Sequence, residues 1–477
     1  MICFSFIRVT RKSKLEFSSL VGPLLPHDRK VAVGQAHHCF SLLFSLAFLT
    51  VFGMSQFLFQ TPAGYLYDYS DSKITWLSIA ALGTTALTVF TALFAEEAGG
   101  NLPLMIFVKF LQGAITSFIP PGLNSITQGI VGAKGMTQQV AVNEMMNHLG
   151  TAFIVLAGSL LGLYLYPNLA MLFVVSPIAC VGFLFFMCRI NPEDIDHDEA
   201  RGLTKKEGKE ATEDPPKQVD HQPSFILGGM DDTPHVADKA DSPLQVLKDP
   251  KLLTFLLVCF LFHMSNGTVL PLVMQTLAIE AGREGILYSG LCIIVAQFCM
   301  VISAKVCGTY SGMYGRKGIF MIGLFSVPLR CLILTGLLQL KENIGGSFGL
   351  NLVILSTQIL DGVGAGVFGT MYILLTSDIA GGTGRFSMAL GSTTAAASIG
   401  GTVSGYLGEA LAQDLGYQEA YSILMLLSLV PAFLYFFAMP ETLPELANGD
   451  KEHDTNTGAI EDGNEGQVAT SSYNQMT

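Results

Sequence analysis

Runs of apolar residues, each about as long as a bilayer is thick, recur along the whole of this 477-residue chain. A hydrocarbon core of about 30 Å needs about 20 such residues per helical crossing. Blocks near that length fall at 40–66, 75–95, 103–131, 144–166, 169–189, 252–279, 286–307, 318–340, 349–377, 387–412 and 420–438. They predict an all-α polytopic membrane protein with about eleven spans, since only helices and closed barrels satisfy their backbones in lipid. A barrel would show shorter segments that alternate apolar and polar residues. With only 13% of residues charged, the chain lies far below the ~25% of soluble domains.

Five blocks precede, and six follow, a polar stretch at 190–250 that contains NPEDIDHDEARGLTKKEGKEATEDPPK. So much charge and proline cannot bury a core, and the stretch is expected to be a flexible linker. The expected division is therefore a basic segment 1–39, a helical half 40–189, the linker 190–250, a second half 251–440 and an acidic, disordered tail 441–477. Much of the net charge of −12 sits in these polar segments and gives no reason to expect a nucleic-acid partner. The nine cysteines lie mostly in apolar runs without metal-ligand spacing, so neither a metal nor another cofactor is expected. One set of short loops carries Lys73, Lys134, Lys305, Arg316, Lys317 and Arg385, the other only Arg283 and Lys341. The positive-inside rule then puts the first set, the linker and the tail in the cytoplasm.

The chain also repeats itself. GYLYDYSDSK (64–73) and GTYSGMYGRK (308–317) each run from Gly to Lys at the end of a span, at an offset of 244 residues. FLQG (110–113) and ILDG (359–362) stand early in long spans, at an offset of 249. Two related halves joined by a linker, with a site between them, is an architecture of transporters.

These residues resemble the major facilitator superfamily, whose loop signature is G-x-x-x-D-x-x-G-R-K. Gly308, Gly315, Arg316 and Lys317 match it, with Gly312 in place of Asp. Gly64, Asp68 and Lys73 match the other copy, with Asp71 and Ser72 in place of Gly and Arg. VKFLQG (108–113), with Lys109 where Arg is usual, and MPETLPE (439–445) also resemble family motifs. The resemblance implies a two-half bundle of twelve helices in which the Gly64 motif follows the second. Here only one block precedes it, and the basic segment 1–39 stands where a first helix belongs. Either that helix is missing from this chain or the segment is a targeting stretch.

In family terms the block 252–279 faces the cavity between halves, and His263 and Asn266, three apart, share a helix face. They are read as a pair handling substrate or protons, or as an interhelical hydrogen bond. Asp361, with Gln358 one turn before it, lies in another cavity-lining helix; it is a coupling site or an ion-pair partner of Arg330. Gln112 and Lys109 lie three apart, with Asn124 further along; Lys109 can attract an anion or snorkel to the interface. Asn143, Glu144, Asn147 and His148 are expected to cap the start of a helix. Gly64, Asp68, Lys73, Gly308, Gly315, Arg316, Lys317 and Arg385 are read as gating loops whose contacts break and reform as the halves rock. No nucleophile–base set or GxxxxGK[ST] loop is present, so no enzyme is expected. The expected function is alternating-access secondary transport of a small solute, coupled to protons; the alternative is a non-transporting sensor or scaffold on the same fold.

Overall fold

A computed structural model of the chain describes residues 27–94, 102–165, 173–203, 240–281, 285–345 and 347–443. Among them there are helices and no strands. The first half contains α1 (His27–Tyr69), α2 (Lys73–Phe94), α3 (Leu102–Thr116), α4 (Ile119–Leu165) and α5 (Val175–Met187). Short helices α6 (His197–Arg201) and α7 (Pro243–Leu247) flank residues 204–239. The second half follows as α8 (Pro250–Asn266), α9 (Val269–Ala281), α10 (Gly285–Tyr314), α11 (Arg316–Ile344), α12 (Phe348–Ser356), α13 (Gln358–Ala380), α14 (Phe386–Asp414) and α15 (Tyr417–Ala438).

Seven stretches among the described residues are long and apolar enough to cross a membrane. Their outer surfaces carry exposed Phe107, Phe153, Ile302, Ile322 and Phe437, as lipid-facing residues should. The chain is an integral multi-pass membrane protein. Each apolar block lies in a helix, but boundaries move. The first helix begins at His27 rather than near 40, taking in the end of the basic segment; residues 1–26 lie outside the described residues. α4 bends at Gly132, whose φ of 67° favours glycine, and its second leg runs from 133 to 165. That leg starts eleven residues before the apolar block, because Lys134, Thr137, Gln138 and Gln139 look like a loop but continue the helix.

The ends of the presumed linker are ordered, not flexible. Asp196 donates its N–H to the Gly129 carbonyl, and Ser125 donates its hydroxyl to the Ala200 carbonyl. Gly382 N–H donates to Gly202 O, and Asp241 N–H to Thr383 O. Local side-chain caps from Asp196, Ser242 and Asp249 start the helices that follow them. Similarly, Glu441 of the acidic tail is held at the protein surface, while residues 444–477 lie outside the described residues.

The two halves meet mainly along two helix pairs, α1 with α14 and α4 with α10. Both seams need residues without side chains. A Cβ on Gly64 would stand 2.1 Å from the Ser387 carbonyl oxygen, and one on Gly308 would stand 2.4 Å from Ala141 Cβ. The repeat-related glycines of the two loop motifs thus do the same job in opposite directions across the seam. A Gly64→Val substitution is expected to cost about 1–3 kcal/mol by overpacking against backbone that cannot yield. Gly312→Val, where nothing stands within 4 Å, is the control. Thermal melting of the purified proteins should show a clear loss for the first and little change for the second.

Candidate functional site

The loop motifs gather on one face and tie the halves together there. The Asp68 carboxylate, buried to 1% exposure, accepts the backbone N–H groups of Ser387 and Met388 at 2.9 Å each. It thereby caps the first turn of α14 in the other half, where orphan N–H groups and the helix dipole favour an anion. Arg385, in the loop before α14, donates to the Tyr69 hydroxyl at 2.6 Å and to the Asp241 carbonyl at 2.9 Å. Its guanidinium also lies 4.7 Å from the Tyr69 ring centre. Arg316 donates to Asp378 and Ser311 in its own half and, at 2.9 Å, to Thr137 of the other.

Glu441 accepts the N–H groups of Arg316 and Lys317 at 2.8 and 3.0 Å and so caps α11, whose N-cap Gly315 has a φ of 86°. Burial pushes this carboxyl up, but the N–H groups of Leu443, Lys317, Arg316 and Thr442 outweigh it and hold the group below its ordinary value. Two expected members do not cross the seam. Lys73 donates to the Tyr67 carbonyl of its own half, and the Lys317 ammonium lies over Phe436 of its own half.

Deeper in, three of the sequence candidates come together. Arg330 on α11 donates to Asp361 at 2.5 Å and to Gln358 Oε1 at 2.7 Å, both on α13, and all three are buried. Every member of this cluster belongs to the second half. The first half has a counterpart at the repeat-related positions, Lys109 and Gln112, which stand 249 residues before Gln358 and Asp361. Lys109 donates to Gln112 Oε1 at 2.9 Å, and Gln112 donates to Thr88 at 3.0 Å. Here no carboxylate of the described residues stands at ion-pair distance. Asn124 joins neither cluster; it donates to the Pro120 carbonyl within its own helix.

His263 and Asn266 end α8, just before the chain breaks at Gly267 and Thr268 and resumes as α9. His263 donates through Nδ1 to the Cys259 carbonyl at 3.0 Å, and its ring stands 4.9 Å from that of Phe368. Asn266 Oδ1 is buried without a hydrogen-bond partner. The two residues share the face expected of them but do not bond to each other. The Thr268 N–H freed by the break is taken up by Ser404 of α14 at 2.9 Å.

The cluster Asn143, Glu144, Asn147 and His148 is not a cap. It lies some three turns inside the second leg of α4, well away from any helix end. His148 Nδ1 stands 2.8 Å from Gln297 Oε1 of α10, across the seam. Its Nε2 faces Glu144 Oε2 at 3.7 Å. The polar residues themselves were visible; what the sequence hid was that the helix had already begun.

Residues 17–344 match the Major Facilitator Superfamily profile. Two proteins of Mycobacterium tuberculosis described as uncharacterized MFS-type transporters, MT2531 and Rv2456c, are each 31% identical to the chain over 395 residues. Each alignment covers 83% of this chain and 84% of the relative. Among solved structures, a double Trp mutant of XylE matches with a TM-score of 0.63 at 13% identity, covering 94% of this chain and 96% of that one. The proton:xylose symporter XylE bound to 6-bromo-6-deoxy-D-glucose matches with a TM-score of 0.59 at 13% identity, covering 92% and 94%.

The Arg330 cluster carries its own prediction. Arg330→Ala leaves Asp361 as an uncompensated buried charge and should cost about 3–5 kcal/mol of stability. An Arg330→Met, Asp361→Leu double variant removes both charges and should recover most of that loss in a melting experiment. A double variant no more stable than Arg330→Ala would show that the pair holds more than itself.

Proposed function

The chain belongs to the Major Facilitator Superfamily, and from that premise we propose that it is a secondary active transporter working by alternating access. Its cargo is a small polar or amphiphilic solute, and its coupling ion is the proton. The observation that carries this reading is the make-up of the seal on the loop-motif face. That seal rests on discrete contacts between halves: Asp68 on the α14 N-terminus, Arg385 on Tyr69, Arg316 on Thr137. Charged hydrogen bonds of this kind are worth about 1.5–3 kcal/mol each. A handful of them can be broken and remade by the differential binding of solute and ion, which a continuous apolar interface could not.

The charge bias of the loops makes this face cytoplasmic, so the described conformation is shut toward the cytoplasm. His263 and Asn266, at the break between α8 and α9, are the residues proposed to meet the solute, since broken helices supply polar groups in transporter sites. Arg330, Gln358 and Asp361 are assigned to the scaffold: they ride on one half, and rocking does not separate them. The symporter named among the structural relatives supports protons as the coupling ion, as does the lack of a nucleotide-binding loop in the sequence.

Reconstitution into vesicles with an imposed pH gradient tests the proposal, with a panel of radiolabelled small polar solutes as probes. At least one solute should accumulate, and Asp68→Ala, which frees the α14 N-terminus, should lower its accumulation at least tenfold without affecting membrane insertion. A solute that binds but never accumulates under any gradient would favour a sensor instead.

A further inference from the structure

Glu144 and His148 form a titratable pair placed where the halves meet, outside the residues used above. His148 is 9% exposed. Gln297 Oε1 can only accept, so the hydrogen between it and His148 Nδ1 belongs to the imidazole. In the neutral ring the other nitrogen, Nε2, is then an acceptor. It is buried without a hydrogen-bond partner, and what it faces is Glu144 Oε2, also an acceptor when ionised. Two acceptors facing each other 3.7 Å apart, with the imidazole nitrogen buried and the carboxylate partly so, call for a proton between them.

The surroundings leave that proton to the pair alone. Asn147, on the same helix, donates to Glu144 Oε2 at 3.3 Å. On α13, Gly369 is so placed that a Cβ would stand 4.0 Å from Glu144 Oε2, and Tyr372, three residues on, shares that helix face. The other ionisable acids and bases of the packed helices have partners of their own or are exposed. Asp361 is bound to Arg330, Asp378 to Arg316, and Glu409 to Gln275, while Lys305 is exposed. Among the described residues no Lys or Arg stands at ion-pair distance from Glu144.

We infer that Glu144 and His148 share the transported proton, holding it while the seam beside Gln297 is shut and giving it to water when the seam opens. The inference rests on the proton-coupled reading above and names its carrier. With the seam shut, the pair holds one proton, on either Oε2 or Nε2, and is neutral as a unit. Opening draws α4 away from α10 and α13, breaks the His148–Gln297 bond and admits water. The proton leaves to that water, and the carboxylate left behind is hydrated. Low pH therefore favours the shut loop-motif face, and high pH favours the open one.

Nitroxide labels on azidophenylalanine at Ser72 and Tyr314, one in each half beside the loop-motif face, read this directly in full-length protein in lipid nanodiscs. In the wild type the ratio of long to short distances should rise with pH between 5 and 9, by up to about tenfold per unit for one proton. Glu144→Gln and His148→Gln, close in shape to the originals, should flatten that response to less than about twofold over the whole range. Gln297→Ala should keep the response but displace its midpoint. If Glu144→Gln retains the wild-type pH dependence, or if the wild type shows two distances whose ratio ignores pH, the pair is not the carrier, while alternating access stands. A single distance at every pH, even with Asp68→Ala, overturns the inference together with the transport reading.

Discussion

A polar group in hydrocarbon can only be satisfied by another polar group, and that constraint governs the interior of this protein. Arg330 is tolerable because Asp361 and Gln358 close around it, at 2.5 and 2.7 Å. The break between α8 and α9 is tolerable because Ser404 takes up the Thr268 N–H. The N-terminus of α14 is met by Asp68 from the opposite half, at a distance of 319 residues along the chain. Each of these solutions fixes one helix against a particular neighbour. The bundle's geometry follows from them more than from apolar packing, since lipid competes for apolar surface as well as any helix does.

On the transport reading, the same constraint makes the contact between halves reversible. Gly64 and Gly308 let backbones touch, and the polar contacts then cluster at one end of the seam. The two loop motifs retain different parts of one signature, and the structure shows how each part is used. The first copy keeps Asp68, which reaches across to cap α14. The second, with Gly312 in that position, keeps Arg316, which reaches across to Thr137. One seal is thus assembled from two incomplete copies that complement each other.

Much of this was legible in the chain. Apolar block length foretold every described span, and the offset glycines foretold the paired halves, because both depend on local pattern. Arg330 and Asp361 could be matched from sequence because a buried charge demands an opposite one and few were available. Three things were not legible. The start of the second leg of α4 was masked by Lys134, Gln138 and Gln139, polar residues that read as loop; the first two are exposed and Gln139 bonds Asn143 along the helix. The ordered linker ends owe their structure to hydrogen bonds with Gly129, Gly382 and Thr383, which composition does not reveal. The His148–Gln297 contact joins residues 149 apart, and no periodicity connects them.

The halves have also diverged in where they keep charge. Around these repeat-related positions, the second half buries an ion-paired cluster of Arg330, Gln358 and Asp361. The first half holds Lys109, partly buried, with Gln112 and Thr88, where no described carboxylate answers the ammonium. Glu144 and His148 also belong to the first half, and their outside partner is an uncharged Gln297. A buried ion pair is locked in place, since removing either charge strands the other. An ionisable group answered only by neutral partners has no such lock. On the transport reading the two halves therefore divide the work, the second serving as the electrostatically settled frame against which the first changes its charge.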